Sequence, residues 1–245
     1  MSIIASSKII SLDEAIILLN ADYKPVIFWD SCSLLDIMRL PMPTRKQPID
    51  RLTKIMQIKQ AIVNGDILSL ASKLSIKEFN DHINDIDSDL YFEARRISRE
   101  YNAFVAFINT VNPSVTLPLV DLTSHKVELG LMDIIASIVD ETYFIDEDSR
   151  FAGPASHKTI NKTPPAHKKG EYKDCYIWTT ATLARSLSDR RRIFYGFISS
   201  NVKDYANPKS VNLVPDLATE AATASLDYCA NIDVMYGALK KVGVI

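Results

Sequence analysis

The chain has 245 residues and a mass of 27.5 kDa, 47% hydrophobic and 24% charged; this suffices for a full core in one large domain, taken as 1–245, and excludes wholesale disorder. A net charge of -2 and a pI near 6.1 exclude a global positive field for nucleic acid, so any such contact must come from a local patch. The odd set Cys32, Cys175 and Cys229 lacks paired spacing, which argues against a disulfide framework or zinc knuckle and for a reducing, cytoplasmic setting; no signal peptide or membrane span is expected, since the most apolar late stretch, 127–139, is broken by Glu128 and Asp133.

Ser11 with Glu14 three residues on forms a capping box ahead of the apolar run 15–19, so a first short helix is expected. Val26, Ile27, Phe28 and Trp29 form a continuous apolar run ending at Asp30, the pattern of a buried parallel strand. Asp30 thereby falls at the carboxyl end of a strand, where open α/β sheets bind ligands. Ser31 and Ser33 then open a helix to about residue 39, and the proline-rich stretch 40–48 separates it from a helix at 49–64. A second strand is expected at 67–71, with Glu78 at or inside the helix that follows.

Helical periodicity runs over 90–111 and again over 122–143 with a turn at 112–118, so a helical insertion is expected at about 88–145. From 147 to 173 the chain is polar and lysine-rich and reads as a long basic loop. Asp174 follows at the start of a helix carrying Ile177, Ala181 and Ala184 on one side, where the helix dipole favours a carboxylate. A third strand over 192–200 leads into Ser199, Asn201 and Asp204; a short strand at 211–214 and closing helices at 215–229 and 234–242 complete the reading.

The fold expected is therefore α/β, a short central parallel sheet flanked by helices. Acids that follow different strands make a hard-oxygen site suited to Mg²⁺ or Mn²⁺, which retain water and accept phosphate oxygens. Such ions support phosphodiester cleavage without a serine or cysteine nucleophile. A lone aspartate after a strand is more often a helix cap, and it is the recurrence of the pattern that favours a site. Asp36 is read as structural or surface-exposed. The acidic run at 140–148 lacks an EF-hand pattern and reads as a solvated turn, the four histidines lack zinc spacing, and Trp29 and Trp178 read as core.

Four segments, FWDSCSLLDI, ILSLASKLSIKEF, KGEYKDCYIWTTATLA and GFISSNVKDYA, together resemble the PIN domains, a family made up mostly of metal-dependent ribonucleases that includes toxins of toxin–antitoxin pairs. The resemblance implies a PIN-like three-layer sandwich in which Asp30 and Asp174 are direct or near-direct ligands of Mg²⁺ or Mn²⁺. Glu78 would be a ligand or a general base acting through water, and Asp204 a carboxylate outside the first ligands or on a second metal. Ser31, Ser199 and Asn201 would hold the acids by hydrogen bonds. Lys168, Lys169 and Lys173 are the candidates for substrate phosphates. RNA is the implied substrate, cut by activated water to leave a 5′-phosphate and a 3′-hydroxyl, with DNA or a flap-like junction as the alternative; a non-catalytic PIN-like scaffold is the rival from another class. An antitoxin or other regulatory protein and a second copy of the chain are the partners considered. Two features depart from the family pattern. The stretch from Glu78 to Asp174 is longer than compact members need, and Asn201 stands where many members carry aspartate.

Overall fold

The computed structural model describes residues 8–21, 23–42, 47–168, 171–189, 194–207 and 210–245. In chain order the elements are β1 (Ile9–Ile10), α1 (Leu12–Ala21), β2 (Val26–Trp29), α2 (Ser31–Met38), α3 (Pro48–Val63), β3 (Leu68–Ser72) and α4 (Lys73–Val111). A 3₁₀ turn (Leu122–His125) precedes α5 (Val127–Asp140), β4 (Thr142–Ile145), α6 (Ser149–Ile160) and α7 (Tyr172–Leu187). The chain closes with β5 (Tyr195–Ile198), α8 (Val202–Tyr205), α9 (Pro215–Ala224), β6 (Asp227–Cys229) and α10 (Ile232–Lys241).

β2 explains the layering. All four of its residues are buried, as a strand covered on both faces requires, and successive side chains point to opposite sides. Ile27 and Trp29 enter a core built with α2, α3, the first half of α4, α5 and α10, whereas Val26 and Phe28 enter one built with α1, α6, α7 and α9. The result is a three-layer α/β sandwich around a six-stranded parallel sheet of order β1-β4-β3-β2-β5-β6. Polar side chains inside the sheet are satisfied in a chain: the Trp29 indole donates to Ser69 Oγ at 3.0 Å, and Ser69 shares a 2.7 Å bond with Thr142 Oγ1.

The strand order sets the position of the site. From β2 the chain moves one way through β3 to β4, then returns to the other side of β2 for β5 and β6. The order therefore reverses between β2 and β5, and a crevice opens outside their carboxyl ends. Asp30 follows β2 and Ser199 follows β5 at that reversal, joined by the Asp30 N–H to Ile198 carbonyl bond of 3.1 Å.

Several boundaries differ from the sequence expectation. The helix expected after the second strand, with Glu78 at or inside it, and the helix expected from 90 are one helix that begins at Lys73, because nothing between Lys73 and Val111 is glycine or proline. Glu78 thus lies in the second turn of a 39-residue helix. The stretch 122–143 is not one helix: α5 ends at Asp140 and Thr142–Ile145 joins the sheet as β4 beside β3. The expected insertion at 88–145 is therefore corrected, since its second half supplies α5 and β4 to the central layers; what stands apart is the distal part of α4 and the segment returning along it. The basic loop at 147–173 is also corrected. It contains α6, capped by the Asp148 side chain accepting the Arg150 N–H at 2.8 Å. No strand forms at 211–214, where an isolated antiparallel bridge joins Ala206 and Leu213. The helix expected over 215–229 stops at Ala224, with Ser225 left-handed at φ 55°, and the chain then enters β6. Among the described residues no helix is long and apolar enough to cross a membrane.

Candidate metal centre

The crevice at the β2–β5 reversal is a cavity of about 380 Å³ lined by Asp30, Glu78, Asp174 and Asp204, with Ser31, Asn201 and Lys168 among its other walls. Sequence reasoning placed these acids at the ends of separate elements, and the fold brings all four to one cavity. Asp30 occupies the N-cap position of α2 yet makes no capping bond with its side chain, so the ordinary structural role of an aspartate after a strand does not account for it. Its carboxylate is instead held across the sheet. Ser199 donates to Oδ2 at 2.6 Å, the Cys32 thiol to the same oxygen at 2.9 Å, and Ser31 Oγ lies 3.4 Å from Oδ1. Burial raises the Asp30 pKa, while these donors pull the other way.

Ser31 links the first two acids. Its hydroxyl donates to Glu78 Oε2 at 2.7 Å. Burial raises the Glu78 pKa; the Ser31 bond lowers it, the Asp30 charge raises it, and the charges of Lys173 and His82 lower it. Asp174 lies in the first turn of α7, where Asn201 Nδ2 approaches its Oδ2 at 3.4 Å and the Tyr205 hydroxyl donates to its backbone carbonyl at 3.1 Å. Burial, followed by the charges of Asp30, Glu78, Asp204 and Glu171, pushes the Asp174 carboxyl up to about 8. Ser199 serves two neighbours, since its hydroxyl also accepts the Asn201 N–H at 3.2 Å, and the Tyr228 hydroxyl donates to its carbonyl at 3.0 Å.

The three lysines separate. Lys168 lines the acidic cavity. Lys173 lines the neighbouring cavity with Tyr172 and Tyr176, and its ammonium is 3.9 Å from Asp81 on α4. Lys169 lies outside the described residues. The cavity also contains groups that the sequence reading did not select: Cys32, Arg39, His82, Glu171 and Lys203. His82 had a usable signal, since it lies four residues after Glu78 and so on the same helix face; Arg39 and Lys203 had none short of the fold.

The donor set is carboxylate and hydroxyl oxygen, the chemistry of a hard divalent cation, and a cation of that kind would offset the burial and neighbouring negative charge that raise the Asp174 pKa. Among the described residues, however, no three His, Cys, Asp or Glu side chains stand close enough to share one ion. Mg²⁺ commonly binds through one or two carboxylates with water completing its shell. Asp30 and Asp174, both lining this cavity, are the candidates for such an ion. Comparison with family models, with curated proteins and with solved structures returned no match.

Proposed function

We propose that this chain is a cytoplasmic metal-dependent endonuclease of the PIN type that hydrolyses RNA phosphodiester bonds. The observation that carries the reading is that Asp30, Glu78, Asp174 and Asp204, from four separate parts of the chain, line one cavity at the point where the strand order reverses. When bound there, Mg²⁺ or Mn²⁺ supplies positive charge against the scissile phosphate and acidifies water. Asp30 and Asp174 are the ligands in this reading. Glu78, held by Ser31 and drawn upward in pKa by burial, takes the proton from the attacking water. Ser199, Cys32 and Asn201 fix the orientation of the two aspartates, so that little reorganisation is needed when charge develops. Lys168, Arg39 and Lys203 line the same cavity and offer cations for the flanking phosphates.

The test is cleavage of single-stranded and structured RNA, with matched DNA strands alongside, in Mn²⁺ or Mg²⁺. The wild type is expected to cut RNA, and Asp30→Asn and Asp174→Asn are each expected to lose at least about a hundredfold in kcat, the scale for removing a catalytic electrostatic group. Cleavage by both variants at the wild-type rate overturns the reading, and preferential cutting of DNA moves the substrate class. The absence of three close ligands among the described residues favours, as the second reading, a PIN-like scaffold without catalysis. Titration calorimetry separates the two, because the scaffold binds no Mn²⁺ at up to about millimolar concentration.

A further inference from the structure

α4 changes character along its length. Its first half buries Ile76, Phe79, Ile83, Ile86 and Leu90 in the core it shares with α2, and its second half buries only Ser98 and Val105. There the chain itself covers one side of the helix. Asn102 grips the backbone of Val120 with both ends of its amide, at 2.9 and 2.8 Å, and Asn109 grips Leu117 in the same way at 3.1 and 2.9 Å. Ser98, Asn102, Val105 and Asn109 recur at helical spacing, so this contact occupies one face.

The opposite face is apolar and exposed beyond Glu100, whereas Ile97 lines a cavity with Leu122, Thr123, His125 and Val127 of the returning segment. Ile97, Glu100, Phe104, Phe107 and Val111 follow one another at intervals of three and four residues, the spacing of a coiled-coil seam. Phe104, Phe107 and Val111 are 65%, 63% and 67% exposed, and Tyr101 at the margin is 43% exposed. From Tyr101 to Val120 no residue carries a charge. Single exposed apolar side chains are ordinary, whereas a seam of them on a neutral arm marks a contact surface.

We propose that this seam is a dimer contact in which two copies of the chain pair the distal halves of α4 antiparallel across a two-fold axis. Charge selects this occupant and this orientation. In an antiparallel pair centred near Phe107, Phe104 of one copy meets Val111 of the other, and the overlap is confined to the uncharged turns, so nothing is repelled. A parallel pair sets Glu100 against Glu100, and within the uncharged overlap beyond it a charged partner finds no complementary group. Size agrees with a reversible contact. Full burial of an aromatic side chain removes about 150–250 Å² from water, so these four residues contribute roughly 400 Å² per copy at their present exposure. With the polar rim the contact totals on the order of 1000 Å², the lower range for a specific interface.

Sedimentation velocity of the full chain from about 2 to about 200 µM is expected to show monomer passing to dimer, and Phe107→Glu, which sets like charges face to face near the axis, is expected to weaken association at least about tenfold. Phe107 is exposed, so circular dichroism of the variant remains that of the wild type. Orientation is read from variants with one added cysteine: mixed Phe104→Cys and Val111→Cys chains are expected to cross-link to each other, whereas Phe104→Cys with itself marks a parallel pair, the wild type with its three native cysteines serving as the background. A wild type that stays monomeric across the range, a dimer untouched by Phe107→Glu, or a monomer that instead floats with phosphatidylcholine–phosphatidylglycerol vesicles through this seam overturns the proposal. None of these outcomes depends on the metal or on RNA cleavage.

Discussion

Replacing Asp174 with asparagine is expected to stabilise the metal-free protein at alkaline pH, although the reading above makes Asp174 a metal ligand. Its carboxyl rises from the model-compound value of 3.8 to about 8, so between those values the folded state holds a proton that the unfolded state has released. Stability from this group therefore falls as pH rises from about 4 to about 8, the reverse of a salt-bridged aspartate. The full shift corresponds to about 6 kcal/mol at about 1.4 kcal/mol per unit. The cavity is open and the excess charge is shared among carboxyls that titrate together, which brings the expectation to on the order of 2 kcal/mol. Asparagine removes that repulsion while giving up about 0.3–1 kcal/mol of favourable helix-dipole interaction at the start of α7. In EDTA at pH 8.5 the melting temperature of Asp174→Asn is expected to exceed that of the wild type by about 3–6 °C, and at pH 5 the difference is expected to shrink to a small part of this. Adding Mn²⁺ reverses the order, because a ligand at about a hundred times its Kd stabilises the wild type by about 2.7 kcal/mol and loses most of that effect in the variant. Differential scanning fluorimetry of both proteins under the three conditions reads all six states. A variant destabilised equally at pH 5 and pH 8.5 refutes the crowding of charge around Asp174.

Two further substitutions test the frame and the support of the site. Gly196→Ala places a Cβ 2.5 Å from the Phe194 ring and 2.8 Å from Met235 Cε, and both of those residues are buried; a loss of about 1–3 kcal/mol in urea unfolding is expected, and an unchanged midpoint shows that the ring moves aside freely. Ser199→Ala removes the 2.6 Å donor to Asp30 and the acceptor of the Asn201 N–H, so denaturant unfolding at neutral pH is expected to show a loss of about 1–3 kcal/mol. Ser199→Thr retains the hydroxyl and is expected to recover most of it, and equal losses in the two variants place the effect in packing rather than in that hydrogen bond.

β2 was legible because an unbroken apolar run stops at an acid, and α1 because Ser11 and Glu14 do form the reciprocal bonds of a capping box, at 3.2 and 2.7 Å. β4 was not, because Thr142–Ile145 continues the apolar pattern of α5 with only Glu141 to mark the break. β6 was hidden in the same way: α9 ends on Ser225 in a left-handed conformation that glycine or asparagine usually signals, so the sequence carries no punctuation there. The continuity of α4 was missed because a run of aspartates, Asp81, Asp85, Asp87 and Asp89, dilutes the apolar stripe between the helix expected around Glu78 and the one expected from 90. At the site, Asp30 and Asp174 could be found from their positions at element ends. Cys32, Arg39 and Lys203 could not, since only the return of β5 beside β2 closes the cavity that they line.

One uninterrupted helix contributes Glu78 to the acidic cavity and Phe107 to the neutral arm, 29 residues further along the same hydrogen-bonded cylinder, a span of about 44 Å. Neither end can slide or turn about the axis without carrying the other, because a helix has a single register.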